Sequence, residues 1–505
     1  MRKFILFIVI IFCILLQANE KALVSALGTL GKDPSIMERP AGYLRSDAPS
    51  SVRGILEAPY SYEDYSVRLL DMIERNAWLR LIKYIDTGEF TEMNRFKTLL
   101  KVFSRSGSPV LASFIDSCWQ QSRSFRGAAK SRYDSVALYK YAYIIEQIME
   151  SDNDELTALF SSYPLSRGVI YDDTLTVIRG SMGDDTYILS GPNTIIFDPG
   201  GNDRYIGTGP YSIAGGVNGF ACIIDLEGHD QYIGPDSSLC FSSNGAALID
   251  DRSGNDIYTG GDFSLCFSHN GLSVLSDESG DDIYMSGSYS QSSAAGKGIS
   301  ILADIEGNDR YMSDARYTQG ASDGEPAGGI GGTAVLADLD GNDRYTAGGY
   351  SQGFGAHFSM GLLYDTRGND IYISGEFSQG CGAHNGAGVL ADNAGNDRYE
   401  ALSYSQGFAR HSSAGILSDY SGNDIYSGTV YSQGSAMLMS SGMLFDMSGE
   451  DAFNNDSLSC GTVYDNSPDF SIGVLYKTAG SASINGRDME NRFSEFWGIR
   501  YYAND

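Results

Sequence analysis

The sequence predicts a mainly β protein, a parallel β-solenoid of about ten 27-residue coils preceded by a small α-helical domain. Three observations carry this reading. The motif Asp-x-x-Gly-Asn-Asp-x-Tyr recurs ten times, with small variations, between Asp198 and Phe453. Its glycine stands at Gly201, Gly228, Gly254, Gly280, Gly307, Gly341, Gly368, Gly395, Gly422 and Gly449, with a degenerate copy at Gly183. Repetition at this spacing marks a stack of like units, each burying its apolar side against its neighbours. The repeats are made of Gly, Ser, Asp, Tyr and short β-branched runs, too short per unit for a propeller blade and too poor in helix formers for helix pairs. Before them, Val67, Leu70, Ile73, Ala77, Leu81 and Ile85 fall at helical spacing with charges between.

Taken in order, residues 1–18 read as a secretory signal peptide: Met1-Arg2-Lys3, an apolar run from Phe4 to Leu16, then small residues. The run is shorter than the ~20 apolar residues that span a bilayer, so an exported protein is expected, in the periplasm, at the cell surface or outside the cell. Residues 19–61 form an extended lead-in, rich in Pro, Ser and Gly from Gly31 to Pro59. Residues 62–165 form the helical domain, with helices expected over Glu63–Ile85, Arg95–Phe103, Pro109–Gln121 and Tyr133–Met149. The solenoid runs over 171–453, and its ten coils at the ~4.8 Å strand spacing give a rod about 50 Å long. The aromatic tail, 454–505, is expected to cap the open strand edge.

The net charge of -29 is uneven, with 15 basic and 45 acidic residues from Ser166 onward. Such a surface repels nucleic acid and attracts cations. No segment after the leader is long and apolar enough to cross a membrane. The seven cysteines are scattered, which is no disulfide framework; Cys240 and Cys266 occupy equivalent positions of successive repeats, as a bridge or as two buried thiols.

Two residues before each repeat's first Asp stands an Ile or Leu, the expected core column, and the motif tyrosines from Tyr205 to Tyr426 form a second inward column. The residue before the Ile or Leu is also apolar (Ile195 to Met443), and on a straight strand it faces outward. It would form a greasy ribbon, covered either by the helical domain or by a partner such as another protein or a polysaccharide.

The chemistry lies in two aspartate columns. The pairs are Asp198 and Asp203, Asp225 and Asp230, Asp251 and Asp256, Asp277 and Asp282, Asp304 and Asp309, Asp338 and Asp343, Asp365 and Asp370, Asp392 and Asp397, Asp419 and Asp424, and Asp446 and Asp451. Asp can cap turn N–H groups, but Asn would do so without charge, and the next column is already largely Asn. Carboxylates stacked ~5 Å apart repel by about 1 kcal/mol per pair in water and more when buried. Too few Lys or Arg recur in register to offset this, so calcium, which takes six to eight oxygen ligands at loose geometry, is the expected cofactor.

Gly-Asn-Asp-x-Tyr, and most closely the stretch Gly180 to Ile188, resembles the core of the hemolysin-type calcium-binding repeats of exported bacterial proteins. The resemblance implies calcium held in Gly-x-Asp turns between coils. It covers about eight residues of each coil, and the coil here is 27 residues, not a tandem nonapeptide.

Three further features stand out. Tyr-Ser-Gln-Gly recurs, giving Ser and Gln ladders that stabilise stacked coils. His357, His384 and His411 fall 27 apart, a secondary metal candidate. The coil from Gly307 to Gly341 is seven residues longer than its neighbours, and its excess holds Asp323 and Glu325, weak candidates for an acid and a base. The functional expectation is a non-catalytic surface, adhesive or scaffolding protein, because repeated coils imply a repeated job and no nucleophile triad, zinc motif or phosphate loop is present. The other readings are a polysaccharide-acting lyase or hydrolase and a carbohydrate-binding module.

Overall fold

The computed structural model describes residues 141–502 except 143, 146, 150, 162–168, 172–174, 325–330, 457, 465–470, 489–491 and 494–497. The expected signal peptide, the lead-in, most of the helical domain and Glu325 lie outside the described residues.

Each coil gives one strand to each of three parallel ladders. Thr333–Asp338, Met360–Asp365 and Ala387–Asp392 belong to the long ladder. Arg344–Thr346, Ile371–Ile373 and Arg398–Glu400 belong to the tyrosine ladder. Gly355–Ala356 and Gly382–Ala383 belong to the short ladder. The register is one repeat throughout: Asp338 pairs with Asp365, Asp365 with Asp392, and Tyr345 with Tyr372. The long coil does not break it, since Leu302 still pairs with Leu336 and Tyr311 with Tyr345. Its extra residues fall between Asp323 and Thr333, the ends of the flanking strands.

Strand periodicity places the core. Residues two apart on a strand share a face, so Leu390 and Asp392 point inward together with Tyr399. The Leu and Tyr columns form one continuous core cluster along the rod. Consecutive rings from Tyr205 to Tyr426 are stacked in parallel with centroids 4.6–4.9 Å apart. These rings are fully buried, so none can serve as a sugar-binding strip.

The outward apolar column is also buried, at most 1% exposed from Ile195 to Met443, so it is no open ribbon. Over the first coils the described helical residues cover the outer face of this ladder. Tyr141 stacks on Phe220, and Phe160 of helix α1, Asn153–Ser161, stacks on Phe197 at 4.3 Å. Helix α1 starts where the Asp152 carboxylate accepts the Glu155 N–H, an N-cap. Arg252 joins the two parts: it donates to the carbonyls of Ile148 and Ser151 and to Asn153 while paired with the buried Asp250.

The corners are tight. In Tyr-Ser-Gln-Gly the Tyr, Gln and Gly all have positive φ, as at Tyr350, Gln352 and Gly353. The glutamine amide ties the corner together, Gln379 Nε2 donating to the carbonyls of Tyr372 and Glu400 in successive coils, each at 3.0 Å. The expected Gln ladder therefore bonds coil to coil through the backbone.

Beyond the last motif the stack continues. Strand Ile472–Ile484 pairs in parallel along Ser441–Asn454, and Gly498–Tyr502 pairs in parallel with it in turn. The tail is thus partly a further rung without the Asp motif, in which Lys477 stands beside Asp446 and Ala482 beside Asp451. Among the described residues no helix is long and apolar enough to cross a membrane.

Gly380 has φ +73, and an added Cβ would run into the Ile416 carbonyl. Gly380→Ala is expected to destabilise the rod by more than about 1 kcal/mol in urea unfolding, whereas Ala391→Gly, on the outer face, is expected to cost no more than about 1 kcal/mol.

Candidate metal centre

The two aspartate columns meet inside the rod, at the turn between the long and tyrosine ladders. The motif glycine makes the meeting possible: a side chain at Gly341 would collide with the Gly307 carbonyl and with the Asp343 carboxylate. With that space kept clear, the second Asp folds back under its own turn.

Each carboxylate uses one oxygen within the fold. In the second column, Oδ1 accepts the backbone N–H of the equivalent Asp one coil earlier, at 2.6–2.8 Å from Asp309 to Asp451. In the first column, Oδ2 accepts the hydroxyl of the previous coil's motif tyrosine, at 2.6–2.8 Å from Tyr205–Asp225 to Tyr399–Asp419. The capping role is therefore real. Asn serves differently next door, where Oδ1 of Asn308, Asn342, Asn369 and Asn396 accepts both the backbone and side-chain N–H of the next coil's Asn. That stretch of the ladder faces solvent and is neutral, starting from the Asp281 carboxylate that accepts from Asn308.

The other oxygen of most of these carboxylates has no partner. Oδ1 of Asp225, Asp251, Asp277, Asp304, Asp338 and Asp419 is buried without a hydrogen bond, and so is Oδ2 of Asp230, Asp256, Asp282, Asp309, Asp343, Asp370, Asp397 and Asp424. Asp198, Asp365 and Asp392 differ, each accepting a nearby backbone N–H at Oδ1. Buried acceptors left bare cost about 1–3 kcal/mol each, more for charged groups. The oxygens converge in triads made of one coil's two aspartates and the second aspartate of the coil before. Asp185, Asp198 and Asp203 form one triad, Asp230, Asp251 and Asp256 another, with the ligand atoms of each within 4.8 Å of one another.

The electrostatics follow from burial. Loss of solvation, reinforced at many rungs by the like charge of the neighbours, raises these carboxyls: Asp338 and Asp392 to about 6, Asp256, Asp343 and Asp397 to about 10. Without a counter-charge, the stack keeps protons that the same residues lose when unfolded.

One rung holds a counter-charge of its own. The Lys477 ammonium, fully buried, lies 2.9 Å from Asp446 Oδ1 and 2.6 Å from Asp451 Oδ2, and donates to the Ala479 carbonyl at 2.6 Å. Those two oxygens correspond to the ones left bare in the coils below. The lysine stands in the first aspartate's own column, one rung further on, so the chain itself seats a cation where the two columns end. Sequence reasoning found too few basic residues in register and missed this one, because Lys477 lies outside the motif and only the parallel pairing reveals its rung.

The remaining candidates lie elsewhere. Asp323 is buried and paired with His357, Nδ1 to Oδ1 2.7 Å, an acidic partner that spacing alone did not disclose. It stands on the short ladder, away from the aspartate columns. His357, His384 and His411 do stack, with centroids 4.9 and 4.5 Å apart. Cys240 and Cys266 are buried free thiols, Sγ to Sγ 3.8 Å.

A raised carboxyl pKa favours the folded state below the unfolded value near 4, and that contribution is lost as pH rises through the folded value. In metal-free buffer, the urea midpoint is therefore expected to fall from pH 5 to pH 9, most steeply below about 6, where these carboxyls are protonated when folded and ionised when unfolded, and to level off toward about 10. A flat profile would show that the columns keep no extra protons.

The chain matches no family model, no curated protein and no solved structure, so the geometry of the paired columns carries the functional reading.

Proposed function

We propose that the solenoid is a calcium-stabilised rod of an exported, non-catalytic protein with a cell-surface, adhesive or scaffolding role. The observation that carries the calcium reading is Lys477: its ammonium meets the two oxygens that lack partners in the earlier coils. A cation is thus the group those oxygens accept.

Charge and coordination geometry favour a divalent ion such as calcium. Each coil brings two carboxylates, so one divalent ion per coil balances them. Ligand atoms that all lie within 4.8 Å of one another can share one ion, and calcium takes such oxygens at loose geometry, whereas magnesium demands near-ideal octahedral geometry and keeps several waters. Two unit charges 4.8 Å apart repel by about 3 kcal/mol at an effective dielectric of ~20. A bound ion turns that repulsion into bonding at every rung. The acidic balance of the repeats and the charged, apolar, small-residue order of the first residues support export. Stiffness gained equally at each coil suits a spacer or scaffold better than a single catalytic cleft.

The test is thermal unfolding of the mature chain at pH 7.5 in a chelator and in millimolar calcium. A rise of more than 10 °C with calcium, and a smaller one with magnesium, is expected; an unchanged midpoint leaves the columns as proton-sharing caps. Lys477→Met supplies an internal check. Removing the partner of a buried charge pair costs about 3–5 kcal/mol, and the loss is expected to be larger in chelator than in calcium, because the ion can take the lysine's place.

A further inference from the structure

A second site stands on the opposite corner of the coil, between the short and long ladders. That corner demands positive φ, and in the first coils it is filled by Asn244 and Asn270 with φ of 48 and 51. His357, His384 and His411 hold the same corner in later coils, with φ of 51, 46 and 58. Asn and His are among the non-glycine residues that tolerate this region best, so the backbone accounts for a polar residue there. It does not account for imidazole three times running, nor for the buried carboxylate at the end of the row.

The three rings lie face to face, interplanar angles 4° and 16°, and Asp323 holds His357 by its Nδ1. At the other end, His411 Nδ1 is buried with no hydrogen-bond partner. With Nδ1 engaged at one end and buried at the other, Nε2 is the nitrogen each of these two rings can offer to a ligand. Burial, then the neighbouring imidazoles and the Arg410 guanidinium, disfavour the charged form of His384, and burial with Arg410 does the same for His411. Neutral imidazole is the metal-binding form.

We propose that neighbouring rings of the row His357, His384 and His411, with His357 braced by Asp323, bind a borderline first-row metal ion of the zinc, nickel or copper(II) class. A carboxylate on the far nitrogen of a ligating His fixes the ring and raises its basicity, a recurrent arrangement around such ions. Imidazole suits these metals, whereas the all-oxygen triads inside the rod suit calcium, so one chain carries two sites of different softness. Rings stacked face to face with centroids 4.5–4.9 Å apart carry their nitrogen lone pairs side by side in the ring planes. Two of these partly exposed side chains must turn toward one another to share an ion with bonds of ~2.0–2.1 Å.

The experiment uses the full mature chain saturated with calcium, titrated with zinc or nickel in competition with a chromophoric chelator. Asn already occupies this corner in earlier coils, so the double variant His384→Asn/His411→Asn keeps the backbone requirement. It is expected to lose at least a hundredfold in zinc affinity while its calcium-dependent melting shift stays that of the parent. Asp323→Asn is expected to lose about 10–100-fold. X-ray absorption of the nickel-loaded parent is expected to show imidazole ligands. Unchanged zinc affinity in the double variant, or zinc that displaces calcium without imidazole ligation, would overturn the proposal.

Discussion

Rows of carboxylates buried at the spacing of stacked strands are the constraint around which this molecule is organised. A parallel solenoid repeats every side chain about every 4.8 Å, which favours Leu and Tyr but penalises Asp. The fold meets the penalty in part from within. Each second-column Asp caps a backbone N–H of its neighbouring coil, and the first-column aspartates from Asp198 to Asp419 take a tyrosine hydroxyl, so the aromatic core and the acidic columns hold each other in register. Most of the other oxygens remain without a partner, in carboxylates grouped as triads.

This arrangement links stability to ion chemistry more closely than a surface site could. A calcium loop on the outside of a protein can lose its ion and leave the core intact. Here the oxygens are buried beside the tyrosine ladder, and each second-column Asp belongs to the triads of two successive coils. Occupancy at one rung therefore changes the field at the next. Lys477 closes the series with a charge that cannot dissociate, at the point where the motif ends and the tail adds its own rung.

The two halves of the rod are not built alike. Toward the N-terminal end the inner corner holds Ile213, Leu239 and Leu265, and from Gln291 onward it holds glutamines whose amides bond successive coils. The histidine row and the Asp323 pair lie only in the glutamine half. The helical residues described pack on the other end, through Phe197, Phe220 and Arg252. Among the described residues, helical packing at one end and the additional polar site toward the other give the rod a direction.

Much of this was legible in the sequence, because a repeat period is a direct statement about neighbours. The ladders, the inward Leu and Tyr columns and the pairing of each Asp with the next followed from a period of about 27 and a strand's alternation. What the period could not supply was anything that happens once. Lys477 lies beyond the last motif, and its rung is defined only by parallel pairing with Asp446. Asp323 sits 34 residues before His357, in the one coil whose length departs from the rest, so linear spacing hid the pair. The sequence also left open whether the aspartates cap turns or carry unpaired charge. Tertiary structure decided that most do both, one oxygen capping and the other left without a hydrogen-bond partner, because the curvature of the coil turns the two oxygens of a carboxylate to different sides.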